Sequence, residues 1–114
     1  MRLLIVDDNA QVRKFLISLL APVAQEIREC GDGADAAAAY ARVKPDWVLM
    51  DIKMGDVDGL TATRRIKERF PEAKIIILTN HDDDDLREAA REAGASDYLL
   101  KQNLFVLPGI LAKA

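Results

Sequence analysis

Apolar runs of strand length alternate with helix-length stripes along this chain. Residues 3–6, LLIV, carry no polar interruption, as expected for a parallel strand buried on both faces. Val12, Phe15, Leu16, Leu19 and Leu20 then recur at the spacing of an amphipathic helix, which Pro22 ends. A weaker strand is expected over 26–30. After a turn at 31–33, an alanine-rich helix over 34–43 stops before Pro45. Residues 47–50, WVLM, form the second strongly apolar strand and run into Asp51. A loop with Gly55 and Gly59 leads to a helix over 60–70, closed by Pro71. The β-branched run at 75–77 marks a strand over 74–79. Leu86, Ala89, Ala90 and Ala93 share one helix face before Gly94, which suits a left-handed cap. A short fifth strand follows at 98–100. The tail is apolar at helical spacing through Leu104, Leu107 and Leu111, but Pro108 requires its helix either to start near that residue or to kink there.

Five β–α units in succession predict an α/β fold: a doubly wound five-stranded parallel sheet with helices on both faces. The order 2-1-3-4-5 fits best. It places a ligand crevice beyond the carboxyl ends of strands 1 and 3. No linker or repeat divides the chain, so residues 1–114 are expected to form one domain.

The chemistry gathers at those strand ends. Asp7 and Asp8 follow strand 1, Asp51 closes strand 3, Thr79 closes strand 4 and Lys101 follows strand 5. Asp7 and Asp8 can share a pocket only where the regular strand has ended, because successive strand side chains point to opposite faces. Three carboxylates and one ammonium make an oxygen-rich, net-negative site. Repulsion there should raise at least one carboxylate pKa unless a cation is bound. Mg²⁺ is the natural partner, since it takes oxygen ligands and keeps waters that phosphate oxygens can replace. A carboxylate beside it can act as a nucleophile and take a phosphoryl group. The Thr79 hydroxyl and the Lys101 ammonium would then serve the phosphoryl oxygens. Each residue alone has a plainer reading: Asp51 as a cap, Thr79 as a strand-end residue, Lys101 as a solvated lysine. Their joint placement favours the site.

Composition narrows the alternatives. The net charge of −3 offers no basic field for nucleic acid. One cysteine and one histidine exclude an intrachain disulfide and a zinc site. Apolar stretches such as 104–112 are too short to cross a bilayer, and no leader precedes the first strand, so a cytoplasmic protein is expected.

From about Arg2 to Lys101 the chain resembles the receiver domain of two-component response regulators. The resemblance rests on LLIVDDN, WVLMDIKM followed by DVDGL, IIILT, and GASDYLLK. It implies that Asp51 accepts a phosphoryl group from the phosphohistidine of a sensor kinase or phosphotransfer protein. It further implies that Mg²⁺ is held by Asp7, Asp8, Asp51 and the Lys53 backbone carbonyl. Thr79 and Tyr98 are the implied switch pair, with Tyr98 rotating inward after phosphorylation and changing the face of helix 4, strand 5 and helix 5. A homodimer through that face, and a DNA-binding output domain elsewhere in a longer protein, belong to the same expectation. If the chain is complete, a stand-alone shuttle is the alternative. Such a domain is not an enzyme beyond its own phosphorylation and dephosphorylation.

Three departures stand out. Gly55 and Gln102 occupy positions where the family usually has proline, so a trans Lys101–Gln102 bond is expected. Asn80 replaces a small residue, and His81 and Lys53 fall where the family tunes dephosphorylation. The competing readings are a phosphorylation-independent interaction module and a Mg²⁺-dependent phosphatase. The latter normally has a second acid two residues after its nucleophile, where this chain has Lys53. Flavin binding is weaker still, for want of a hydroxyl-rich loop after strand 1.

Overall fold

The computed structural model describes residues 1–113. Five strands, β1 (Arg2–Val6), β2 (Glu26–Cys30), β3 (Trp47–Asp51), β4 (Ile75–Thr79) and β5 (Asp97–Leu100), form one parallel sheet of order β2-β1-β3-β4-β5. Helices α1 (Ala10–Leu20), α2 (Ala36–Val43), α3 (Gly59–Arg69), α4 (Asp84–Ala93) and α5 (Leu107–Ala112) connect and follow them. The predicted topology is the one observed.

Strand pleating divides the core in two. Leu4, Val6, Val48, Met50, Ile75 and Ile77 pack on the side of α2, α3 and α4. Leu3, Ile5, Leu49, Ile76 and Leu78 meet Leu16 and Leu20 of α1 and Leu107 and Leu111 of α5 on the other. Burial on both faces explains why β1, β3 and β4 read as unbroken apolar runs.

One member of the α1 stripe departs from expectation: Phe15 is 44% exposed and stacks edge-on against Phe105, which is 75% exposed. At 3.6 residues per turn, Phe15 lies about 100° around the helix from Leu16, whereas Val12 and Leu20 lie within about 40°. The apolar arc is narrower than the periodicity suggested.

The chain ends as Pro108 requires. A tight 3₁₀ segment, Lys101–Val106, precedes α5, and Pro108 sits in the first turn of that short helix, where its missing N–H costs nothing. No cis peptide bond occurs among the described residues, so Lys101–Gln102 is trans.

Candidate functional site: an acidic crevice at the strand ends

β1 ends at Val6, and the two aspartates occupy the irregular turn that follows. The release from strand geometry lets Asp7 and Asp8 approach Asp51 together. Carboxylate oxygens of all three lie within 4.8 Å of one another. Asp7 is 2% exposed and Asp51 7%, while Asp8 faces solvent. Lys101 Nζ, at the start of the 3₁₀ segment, stands 3.1 Å from Asp51 Oδ1 and 3.4 Å from Asp7 Oδ2, joining the chain after β5 to the ends of β3 and β1 across the crevice. Thr79, Asn80, His81 and Lys53 complete the walls of a cavity of about 160 Å³. The sequence-predicted residues Asp7, Asp8, Asp51, Lys53, Thr79 and Lys101 are therefore brought to one place.

Burial and the adjacent Asp7 carboxylate push the Asp51 carboxyl above its ordinary pKa. Lys101 draws it partway back, and Asp8 adds a smaller upward push. An oxygen-only cluster of this kind, with anionic repulsion incompletely offset by one ammonium, fits a hard divalent cation such as Mg²⁺.

The supporting contacts are specific. The Asn9 N–H donates to Asp7 Oδ1 at 2.9 Å, while the Asn9 side chain caps α1 by accepting from Gln11 and Val12. Arg13 donates to the Asp7 carbonyl at 2.7 Å and pairs with Glu29 at 2.9 Å. The Asp7 N–H donates to the Cys30 carbonyl at 3.1 Å. Gly59 closes in behind Asp51: its N–H donates to the Ile52 carbonyl at 2.7 Å, and a Cβ there would overlap the Asp51 carbonyl. The sequence singled out neither Arg13 nor the closeness of Gly59 to Asp51. A helix arginine reads as solvated, and no pattern reveals that its partner is a backbone oxygen.

The resemblance implies that Tyr98 lies inward once Asp51 is phosphorylated. The structure has it inward, 7% exposed, its hydroxyl donating to the His81 carbonyl at 2.6 Å. The reason is local: the ring is covered by Arg87 of α4, whose guanidinium lies 4.5 Å from the ring centroid. The Thr79 hydroxyl oxygen accepts from the His81 N–H at 3.1 Å, so Thr79 and Tyr98 grip the two sides of one residue.

A larger groove of about 620 Å³ runs along the β2 edge. Glu26 there pairs with both Arg2 at 3.0 Å and Arg28 at 2.7 Å, beside the free edge of the sheet.

A doubly wound α/β domain with an anionic, cation-ready crevice beyond its switch point is the class that fold and site define. Comparison with known proteins makes this particular. The family model "response regulator receiver domain" matches residues 3–105. The transcriptional regulatory protein LiaR of Bacillus subtilis (strain 168) is 39% identical over 102 residues, covering 88% of this chain and 48% of LiaR. A two-component response regulator of the LuxR family from Aurantimonas sp. SI85-9A1 superposes with a TM-score of 0.87 at 32% identity, covering 98% of this chain and 85% of that one. The BeF3-activated N-terminal receiver domain of Klebsiella pneumoniae RstA gives a TM-score of 0.87 at 30% identity, covering 99% and 93%. The chain belongs to the response regulator receiver domain family, the phospho-accepting switches of two-component signalling. It spans about half the length of curated relatives such as LiaR.

Proposed function

We propose that Asp51 is the phosphoacceptor and that Asp7, Asp8 and the Lys53 carbonyl join it in holding Mg²⁺. One observation carries this reading: Lys101 reaches both Asp51 and Asp7 across a cavity that also gathers Asp8 and Thr79. Bound there, the cation would neutralise charge on the incoming phosphoryl oxygens. The Asp51 carboxylate attacks phosphorus as the bond to the donor imidazole nitrogen breaks, and the imidazole leaves with that electron pair. Lys101 then exchanges its carboxylate partner for a phosphoryl oxygen, and the Thr79 hydroxyl donates to another. The donor is a sensor histidine kinase or a phosphotransfer protein.

The domain is a signalling switch whose only chemistry is its own phosphorylation and dephosphorylation. A phosphatase acting on small esters would need an acid where Lys53 stands. Because LiaR is a transcriptional regulatory protein about twice this length, we place the present chain as the regulatory part of such a protein, acting in the cytoplasm. No helix among the described residues is long and apolar enough to cross a membrane. Association of two copies through α4, β5 and α5 is the output we assign to the switch.

Labelling with radioactive acetyl phosphate and Mg²⁺ tests the assignment. Wild type should be labelled, and Asp51→Asn and Asp51→Ala should not; persistent labelling of either variant would overturn it. Sedimentation with and without beryllofluoride and Mg²⁺ tests the dimer separately. A monomer under both conditions removes that output and leaves the phosphoacceptor in place.

A further inference from the structure

Tyr98 is held by groups of the chain itself, the His81 carbonyl and the Arg87 guanidinium, with the Thr79 hydroxyl beside its own. Its hydroxyl donates to the His81 carbonyl, its ring lies under the Arg87 guanidinium, and Arg87 in turn pairs with Asp82 at 3.3 Å. Asp82 and His81 both lie in the loop from β4 to α4, between Thr79 and the α4 cap Asp83. Arg87 is one turn further on, and its N–H donates to the Asp83 carbonyl at 2.9 Å. The loop and the ring are thus clamped from two directions. To swing outward, the ring must leave the hydroxyl contact and displace a guanidinium that is itself tethered by an ion pair. A planar cation over an aromatic face is a directional contact, so its loss should be felt by the ring more than by the fold.

We propose that Arg87 is a positioning residue for the switch, a latch that biases Tyr98 toward the inward position. The inference rests on the reading of Tyr98 as the switch residue. It assigns Arg87 a function that goes beyond helix solubility: the latch sets how much of the switching equilibrium is already complete before phosphorylation. Removing it should shift that equilibrium outward. A switch of this kind needs a second state only a modest free energy away, which a single surface contact can supply.

Fluorine NMR of the chain carrying 3-fluorotyrosine tests the latch. There are only two tyrosines, and Tyr98→Phe assigns the signals. In the wild type, the Tyr98 resonance should report exchange between exposed and buried rings, and beryllofluoride and Mg²⁺ should raise the buried population. In Arg87→Ala, the solvent-exposed population should rise about two- to five-fold, the range a half-exposed cation–π contact supports. Beryllofluoride and Mg²⁺ should then draw it back. Arg87→Lys, which keeps the charge but not the flat fork, should fall between the two, and it decides the matter if Arg87→Ala melts early. Unchanged ring populations in both variants would overturn the latch. Acetyl phosphate labelling of the same samples separates the two ideas. Labelled protein whose ring populations do not change in Arg87→Ala discards the latch alone, whereas unlabelled wild type with a ring that Arg87→Ala still exposes discards the phosphoacceptor and keeps the latch.

Discussion

Asp51 is held where its charge is unwelcome, and that has a consequence for stability. Its folded pKa lies above that of an exposed aspartate, chiefly through burial and then through Asp7. The folded state therefore binds its proton more tightly than the unfolded chain does. Stability falls as pH rises from the ordinary aspartate value through the raised one, and the penalty is fully present above it. In EDTA at neutral pH, Asp51→Asn should melt at a higher temperature than wild type. The gap should close below the ordinary aspartate pKa, where both side chains are neutral. Melting curves across that range check the sign, and an Asp51→Asn variant less stable at neutral pH contradicts it. Gly59 makes a second residue-scale prediction. A methyl group there collides with the Asp51 carbonyl, so Gly59→Ala should cost about 1–3 kcal/mol by overpacking and sharply reduce phosphoryl labelling. Gly55→Ala meets nothing within 4 Å and should leave both unchanged. Denaturant titration and labelling distinguish the pair. Asp51 stands out in the sequence only through its joint placement with Asp7, Asp8, Thr79 and Lys101 at successive strand ends. The glycine's role does not stand out, since close approach between backbones leaves no signature in residue type beyond the glycine.

Among the elements, caps and stripes decide what a change costs. Asp83 accepts from the Asp85 and Leu86 N–H groups at the start of α4, while Asp84 and Asp85 fill the first turn. The acidic run 82–85 is therefore mostly a helix start, set at the positive end of the α4 dipole. Asp83→Ala should cost about 1 kcal/mol, whereas Asp84→Ala should cost less than about 0.5 kcal/mol; chemical denaturation measures both. Gly94 closes the same helix at φ 102°, a conformation that side chains rarely adopt. On α1, Leu16→Ala should cost about 2–5 kcal/mol, because Leu16 is fully buried against the sheet. Phe15→Ala should stay under about 1 kcal/mol, since only an exposed edge-on ring contact is lost. Equal costs at 15 and 16 would restore Phe15 to the core stripe. Helical periodicity identified α1 correctly but could not set the width of its buried arc, which depends on how closely α5 packs alongside. Pro108 signals the break before α5 but leaves open whether the helix starts or kinks there; the structure has a 3₁₀ segment and then a fresh start. The inward setting of Tyr98 was not legible in the sequence, because it depends on Arg87 and on a carbonyl 17 residues away in sequence.

Across the whole molecule, fold and charge act against each other at one point. A parallel sheet with strand ends in register gathers what the chain carries there, and this chain carries three carboxylates against one lysine. The sheet core holds the crevice closed while its occupants repel. A cation that binds only the folded state should therefore stabilise the entire domain, not merely the site. At ten times its dissociation constant the gain is about 1.4 kcal/mol, several degrees in Tm for a domain of this size. The same argument gives opposite signs for one variant. Asp51→Asn should be more stable than wild type in EDTA, because a buried charge is gone, yet should gain much less from Mg²⁺, because a ligand is gone too. Asp8→Asn should likewise lose most of the Mg²⁺ increment. It should gain less than Asp51→Asn in EDTA, since Asp8 already faces solvent. Melting temperatures of the three proteins at increasing Mg²⁺ test this directly. Parallel increments in all three would mean that the cation binds elsewhere, and the acidic crevice would then be only a strained corner of the fold.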